Sequence, residues 1–147
     1  MNAAGSALQG NFVVLRANAL RLLLPQQEVG AADYVDSAPV PSGEAGVFFC
    51  GEADARRSVV ALSDRMQPLA EFPAGRFLVT SLRTPELELS FAWDEVRVLI
   101  GVRLEQHPLP PAMRLPGTPI HGYVEHAGEL LLCSTAEQVL ACAAGGG

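Results

Sequence analysis

The sequence contains no lysine, and its positive charge comes from ten arginines set against sixteen aspartates and glutamates. The formal net charge is therefore -6 at neutral pH. No basic stripe runs along the chain to collect phosphate groups, which a nucleic-acid-binding protein would need. Nucleic acid is therefore excluded from the expected partners.

Long apolar runs are also missing. The best candidate, LRLLLPQQEV, is interrupted by Pro25 and two glutamines, whereas a membrane-spanning helix needs about 18 uninterrupted apolar residues. The first residues, MNAAGSALQGNF, lack the basic start and the apolar stretch of a secretory signal. We therefore expect a soluble, cytoplasmic protein without membrane insertion.

Cysteines are few and far apart. Cys50, Cys133 and Cys142 form no CxxC pair and stand at no spacing typical of a zinc site. Cys50 and Cys133 each follow an apolar run, which favours buried, reduced thiols. The sequence predicts no disulfide, no metal site and no cofactor.

The residue patterns of catalytic sites are absent as well. Asp94 and Glu95 are adjacent carboxylates, but neighbours on a strand point to opposite faces and do not form an acid and base pair. Neither Ser63 nor Ser134 stands in a GxSxG elbow. A hydrolase built on Asp64 or Asp94 would need a histidine within hydrogen-bond reach. We predict that the protein is not an enzyme.

The chain has 147 residues, of which 49% are hydrophobic and 18% charged. This profile is typical of one globular domain that forms a core without disulfides or bound metals. Short apolar runs at Phe12–Leu15 and Leu20–Leu24 flank the turn-prone Ala17-Asn18-Ala19 and predict a hairpin. Pro25 ends the second run.

Further short runs continue this strand pattern along the chain. We predict strands at Val47–Cys50 and Ser58–Leu62, three within Arg76–Leu104, and two around the turn at 126–129. Segments rich in proline and glycine predict loops, at 37–46, 63–75 and 105–119. Only Thr135–Ala143 has helical spacing, with Thr135 as its cap. About nine or ten strands and one helix indicate an all-β barrel or sandwich.

Four segments, taken in order, carry a resemblance to a known family. The opening hairpin has the sequence FVVLRANALRLLLPQQEV. Its second strand ends in a leucine and a proline, which Val29 follows. GEADARRSVVALSD lies without a gap on the pattern G-V-x-N-L-R-G-x-V-I-P-V-x-D. FAWDEV matches the family pattern L-L-V-D-E-V. IHGYVEHAGELLLCSTAEQVL matches the C-terminal pattern of the family, which is rich in glycine and leucine. The chain is thereby similar to CheW-like domains, the adaptor modules of bacterial chemotaxis and related pilus-motility arrays.

The resemblance implies a fold and a domain plan. The expected fold is all-β, CheW-like, with two small five-stranded barrel-like lobes on a shared core and a short C-terminal helix. It implies a flexible N-terminus over residues 1–10, a single two-lobed domain over 11–143 and a frayed tail over 144–147. Of the positions that depart from the family pattern, three indicate a divergent member: Arg57 at a turn glycine, Ala61 at a proline and Ser134 at an aspartate.

The same resemblance implies a function. CheW-like adaptors bind the regulatory domain of a CheA-type histidine kinase and the signalling tip of a chemoreceptor, without a cofactor. The residues expected to bind a partner are Arg56, Arg57, Val59, Val60 and Asp64, and the valines are expected close to an exposed apolar surface. Arg57, at the position of a turn glycine, would be strained at a positive φ.

An alternative remains open, in which the protein is a small β-barrel that binds a small molecule or sugar in its interior. Trp93, Tyr123 and His121 are the candidate lining residues. Such a barrel should hold one closed pocket of about 300 Å³ or more lined by aromatic side chains. An adaptor should instead have two filled lobes and exposed apolar surface.

Overall fold

A computed structural model describes residues 6–35, 38–51, 56–114 and 118–144. Within them the chain is mostly β-structure, as predicted. The strands are β1 (Ser6–Ala17), β2 (Leu20–Pro25), β3 (Asp33–Tyr34), β4 (Val40–Pro41), β5 (Val47–Cys50), β6 (Arg57–Val60), β7 (Leu78–Arg83), β8 (Glu88–Trp93), β9 (Glu95–Gln106), β10 (Gly122–His126) and β11 (Glu129–Cys133). One α-helix, α1 (Ala136–Ala144), follows, and single 3-10 turns lie at Gln26–Glu28 and Pro111–Met113.

The strands form two curled sheets, one for each lobe. The first sheet has the order β10-β11-β2-β1-β9, and the second has the order β3-β7-β8-β6-β5-β4. The two end strands of the first sheet meet at one bridge, where His107, just after β9, exchanges two backbone hydrogen bonds with Tyr123 of β10, at 2.8 and 3.0 Å. β9 itself remains an edge strand of this sheet. The chain passes from the second sheet to the first at Asp94, between β8 and β9.

The predicted opening hairpin is confirmed. β1 and β2 pair in antiparallel register from Phe12 opposite Pro25 to Ala17 opposite Leu20. Asn18 turns the chain with a φ of 54°, a conformation that asparagine tolerates better than most residues. The backbone N–H of Asn18 donates a 2.6 Å hydrogen bond to the Asp94 carboxylate, which anchors the turn to the crossing point between the lobes.

A central core lies between the two sheets. Because successive side chains of β1 point to opposite faces, this strand contributes residues to two cores. Val13 and Leu15 enter the central core, whereas Phe12 and Val14 face the interior of the first lobe. β8 divides in the same way, with Phe91 and Trp93 in the central core and Ala92 in the second lobe. The apolar runs of the sequence therefore form strands buried on both faces, rather than the half-buried strands that simple alternation predicts.

The predicted C-terminal helix is present as α1 and closes one side of the central core through Val139 and Leu140. Thr135 caps it as expected, because its Oγ1 accepts a 3.1 Å hydrogen bond from the N–H of Gln138. Glu28 accepts a second bond, from the N–H of Ala136 at 2.7 Å. No helix in the described part of the chain is long and apolar enough to cross a membrane.

Two boundary predictions are wrong. β1 begins at Ser6, which pairs with Gln106, so residues 6–10 belong to the sheet and not to a flexible terminus over 1–10. The loop predicted over 37–46 contains β4, whose Val40 pairs with Phe49. This edge strand gives the second sheet six strands instead of five. Residues 1–5 and 145–147 lie outside the described residues.

β9 carries a bulge that controls which of its side chains face outward. Gly101 has a φ of 61°, and its N–H donates a 2.7 Å hydrogen bond to the side chain of Asn11, where the pairing with β1 shifts. Leu99 and Leu104 face the first lobe. Val98 and Ile100 point the other way and are 48% and 64% exposed.

The three cysteines are free thiols, and Cys50 and Cys133 are buried as predicted. Burial raises the pKa of the Cys133 thiol from 9.0 to about 11. Burial also raises the pKa of Cys50, partly offset by the charge of Arg57, and raises the pKa of Cys142. The Cys142 thiol contacts the carbonyl of Met66 at 2.7 Å. All three thiols therefore stay protonated at neutral pH.

The raised pKa of Cys133 predicts a loss of stability at high pH. An unfolded thiol ionises near pH 9.0, whereas the folded one resists up to about pH 11, so the free energy of unfolding falls by about 2 kcal/mol between these values. Cys133→Ala removes this titration and leaves the other two thiols in place. Urea titrations at pH 8 and pH 11 should show a larger loss in the wild type than in Cys133→Ala, and equal losses would contradict the assignment.

Candidate partner-binding surface

The five predicted partner-binding residues lie on strand β6 or shortly before and after it. Arg56 directly precedes β6, Arg57 begins it, Val59 and Val60 end it, and Asp64 lies in the turn that follows. β6 is an inner strand, between β5 and β8. The predicted set is therefore continuous in sequence but divides into residues of different surroundings.

Val59 and Val60 are core residues. Val59 is 0% exposed within the second lobe, and Val60 is 6% exposed within the central core. The interior of the second lobe covers the face of β6 that carries Val59, and the central core covers the face that carries Val60. The prediction that these side chains contact a partner is therefore wrong, because both are buried.

The Arg57 side chain contacts residues of two other strands. Its guanidinium donates a 3.1 Å hydrogen bond to Ser90 of β8 and lies 3.4 Å from the Asp33 carboxylate of β3. The expected strain is also absent, because the described residues other than glycine with a positive φ are Asn18, Met66 and Ala127. Arg57 is an ordinary strand residue that joins β6, β8 and β3.

Arg56 is the predicted residue that faces outward on the second lobe. Its guanidinium carbon lies 5.2 Å from the centre of the Phe49 ring, a geometry that favours a cation–π interaction. Val40 of β4 pairs directly with Phe49 and is 46% exposed. We call Val40, Phe49 and Arg56 the Arg56 face.

The sequence did not single out Phe49 or Val40, although a signal for Phe49 was present. In the run VFFC of β5, Phe48 is 3% exposed and packs edge-on against Phe72 at 5.3 Å. Strand alternation then turns Phe49 outward. Val40 lies in a segment rich in proline and glycine whose pairing the local sequence does not indicate.

A second apolar surface lies on the other lobe, at the edge strand β9. Val96, two residues before Val98, packs against the central core. Val98 and Ile100 continue the same face of β9 but are exposed. We call Val98 and Ile100 the β9 edge. Exposed aliphatic side chains side by side on an edge strand are typical of an interaction surface.

Asp94 has a structural role. Its carboxylate accepts the N–H of Asn18 and lies 3.4 Å from the guanidinium of Arg76, which is 0% exposed. Arg76 also donates a 2.7 Å hydrogen bond to the carbonyl of Leu62. The carboxylate thus holds the turn and the lobe junction together, and its partners are not the histidine that a hydrolase built on Asp94 requires.

The residues of the ligand-binding alternative do not converge. Trp93 is buried in the central core and donates a 2.9 Å hydrogen bond to Thr80. Tyr123 stacks on His107 with 5.1 Å between ring centres, and His121 is an exposed residue hydrogen-bonded to Gln138 at 2.8 Å. These side chains occupy three separate places. Among the described residues, no group of three or more metal-ligating side chains is found either.

Comparisons with known proteins agree with this architecture. No protein-family model matches the chain, and no curated protein matches it. Thirteen solved chains do match by structure. One is the crystal structure of the scaffolding protein TtCheW from Thermoanaerobacter tengcongensis, with a TM-score of 0.62 and 12% identity, covering 86% of this chain and 89% of that chain. The protein therefore has the CheW-like fold.

Proposed function

We propose that this protein is a non-enzymatic, cytoplasmic adaptor that couples a CheA-type histidine kinase to chemoreceptors in a bacterial chemotaxis-like or pilus-motility pathway. The observation that carries the proposal is the structural match to the scaffold TtCheW over most of both chains. Two separate exposed surfaces, one on each lobe, support it further, because a coupling protein has to bind two partners at once.

The Arg56 face is the proposed contact for the regulatory domain of the kinase. Arginine and aromatic residues are enriched among the side chains that contribute most to protein binding. Here the Phe49 ring and the Arg56 guanidinium pack together, and the neighbouring Val40 adds exposed apolar surface. Asp64, the other exposed residue of the predicted set, lies beyond the opposite end of β6 and is not part of this contact.

The β9 edge is the proposed contact for the signalling tip of the receptor. Its two aliphatic side chains lie on the first lobe, on a strand remote from β4 and β5 of the second sheet. Apolar side chains that become buried on binding supply most of the free energy of such contacts. The two partners would therefore approach different lobes.

Single charge changes on each surface should separate the two contacts. Arg56→Glu removes the cation and places a carboxylate against Phe49, so we expect about tenfold weaker binding to the kinase regulatory domain. Ile100→Glu should weaken binding to the receptor tip by a similar factor of about ten, because the carboxylate would be desolvated in an apolar contact. Isothermal titration calorimetry against each isolated partner measures both effects.

Arg83 supplies the matched control, because it is exposed at the end of β7 outside both surfaces. Arg83→Glu changes the net charge by as much as Arg56→Glu does, and should change either affinity by less than about twofold. Loss of both affinities in either surface variant would argue against two separate contacts. An absence of wild-type binding to any such kinase domain would overturn the proposed function.

A further inference from the structure

A third surface is lined by residues of both lobes. It is an open cleft of about 370 Å³. Its lining comes from the β1–β2 hairpin, the turn after β6 and strand β11: Ala19, Leu20, Arg21, Asp64, Arg65, Leu130 and Leu132. The cleft therefore sits at the seam between the two lobes and contains the predicted site residue Asp64.

The floor of the cleft is apolar. Leu132 pairs with Leu22 of β2 and packs against the central core. Leu130 lies two residues earlier on the same face of β11, where the core ends, and is 53% exposed. Leu131, between them, points into the first lobe and is fully buried. Leu130 is thus an apolar anchor point that the fold itself leaves uncovered.

The rim of the cleft carries two guanidinium groups. Arg21 lies 3.3 Å from Glu129. Arg65 is exposed, and none of the ion pairs found among the described residues involves it. Glu129 is shared between Arg21 and Arg97. The arginines Arg21, Arg65 and Arg97 therefore face two carboxylates, Asp64 and Glu129, which leaves a locally positive site beside an exposed leucine on a chain of net charge -6.

The turn that presents Arg65 is well ordered by hydrogen bonds. The Ser63 hydroxyl accepts the N–H groups of Arg65 at 3.1 Å and Gln67 at 3.3 Å. The Ser63 carbonyl accepts the N–H of Met66 at 2.9 Å. A backbone fixed in this way reduces the entropy lost when a partner binds to the Arg65 side chain.

We propose that this cleft docks an acidic, amphipathic segment of a partner protein. A large apolar side chain of that segment packs on Leu130, and carboxylates on either side of it pair with Arg65 and Arg21. Asp64 repels a carboxylate at its own position and so restricts the register of the segment. The inference goes beyond the proposed function, because neither the Arg56 face nor the β9 edge contributes to this cleft.

The test uses fluorescence anisotropy of a short labelled peptide with leucines at helical spacing and glutamates between them. The matched probe has lysine in place of every glutamate. The full chain should bind the glutamate peptide about tenfold more tightly than the lysine peptide. Arg65→Glu and Leu130→Asp should each weaken that binding about tenfold, and both side chains are exposed, so both variants should fold. Arg83→Glu should change it less than about twofold.

Equal weakening by Arg65→Glu and Arg83→Glu would overturn the inference, because binding would then follow net charge. Binding that survives Leu130→Asp, or no preference for glutamate over lysine, would overturn it as well. Titrating wild type and Arg65→Glu with the kinase regulatory domain and the receptor tip separates this result from the proposed function. Unchanged affinity for both partners, together with no peptide binding, would leave the adaptor intact and remove only the third surface.

Discussion

Arg76→Met is expected to destabilise the protein by about 3 kcal/mol, because removing one partner of a buried ion pair leaves the other charge uncompensated. Arg76 is fully buried and bonds the Leu62 carbonyl at 2.7 Å and Asp94 at 3.4 Å. Asp94 in turn holds the turn at Asn18. One guanidinium therefore joins the loop after β6, the crossing between the lobes and, through the carboxylate, the β1–β2 hairpin.

The measurement is thermal unfolding followed by the fluorescence of Trp93, the one tryptophan of the chain, which is buried in the central core. A loss of this size lowers Tm by roughly 10 °C in a domain of this length. The exposed Arg83→Met serves as the control and should stay within about 0.5 kcal/mol of the wild type. A loss below about 1 kcal/mol for Arg76→Met would show that the lobes are held together mainly by apolar packing.

Val59→Asp is expected to have an even larger effect, with the protein largely unfolded at room temperature. The side chain is 0% exposed, and burying an unpaired carboxylate costs several kcal/mol, about as much as the whole stability of many domains. Ser58→Asp is the matched control, since Ser58 is the adjacent exposed residue of the same strand. Circular dichroism should show a folded Ser58→Asp protein and an unfolded Val59→Asp protein.

A milder variant separates packing from binding at the same position. Val59→Ala leaves a cavity and should cost about 2 kcal/mol, which a stable domain tolerates. Because the side chain has no exposed surface, the folded variant should bind the kinase regulatory domain as tightly as the wild type. Weaker binding by folded Val59→Ala would mean that the strand takes part in the contact, contrary to its burial here.

Much of the fold follows from local sequence. The β1–β2 hairpin rests on Asn18, which accepts a positive φ, and on Pro25, which ends the second strand. The C-terminal helix rests on the capping hydroxyl of Thr135. Such elements are predictable because residues within a few positions of each other decide them.

The candidate surfaces depend on contacts between residues distant in sequence, and local patterns do not encode these. Arg56 and Arg57 are equivalent in sequence, but the first packs on Phe49 and the second bonds Ser90 of β8. Val59 fits an exposed apolar strand as well as a buried one, and its burial depends on packing against Cys50, Val79 and Ala92 from other strands. The pairing of Arg76 with Asp94 likewise needs the folded chain.

The proposed adaptor would hold a kinase and a receptor on one molecule at the same time, so simultaneous binding should be measured. Sedimentation velocity of the protein mixed with a CheA-type regulatory domain and a chemoreceptor tip should reveal a ternary complex heavier than either binary complex. Arg56→Glu should remove the kinase domain from this complex, and Ile100→Glu should remove the receptor tip. Binary complexes that exclude each other, or no complex at all, would overturn the proposed coupling of kinase and receptor.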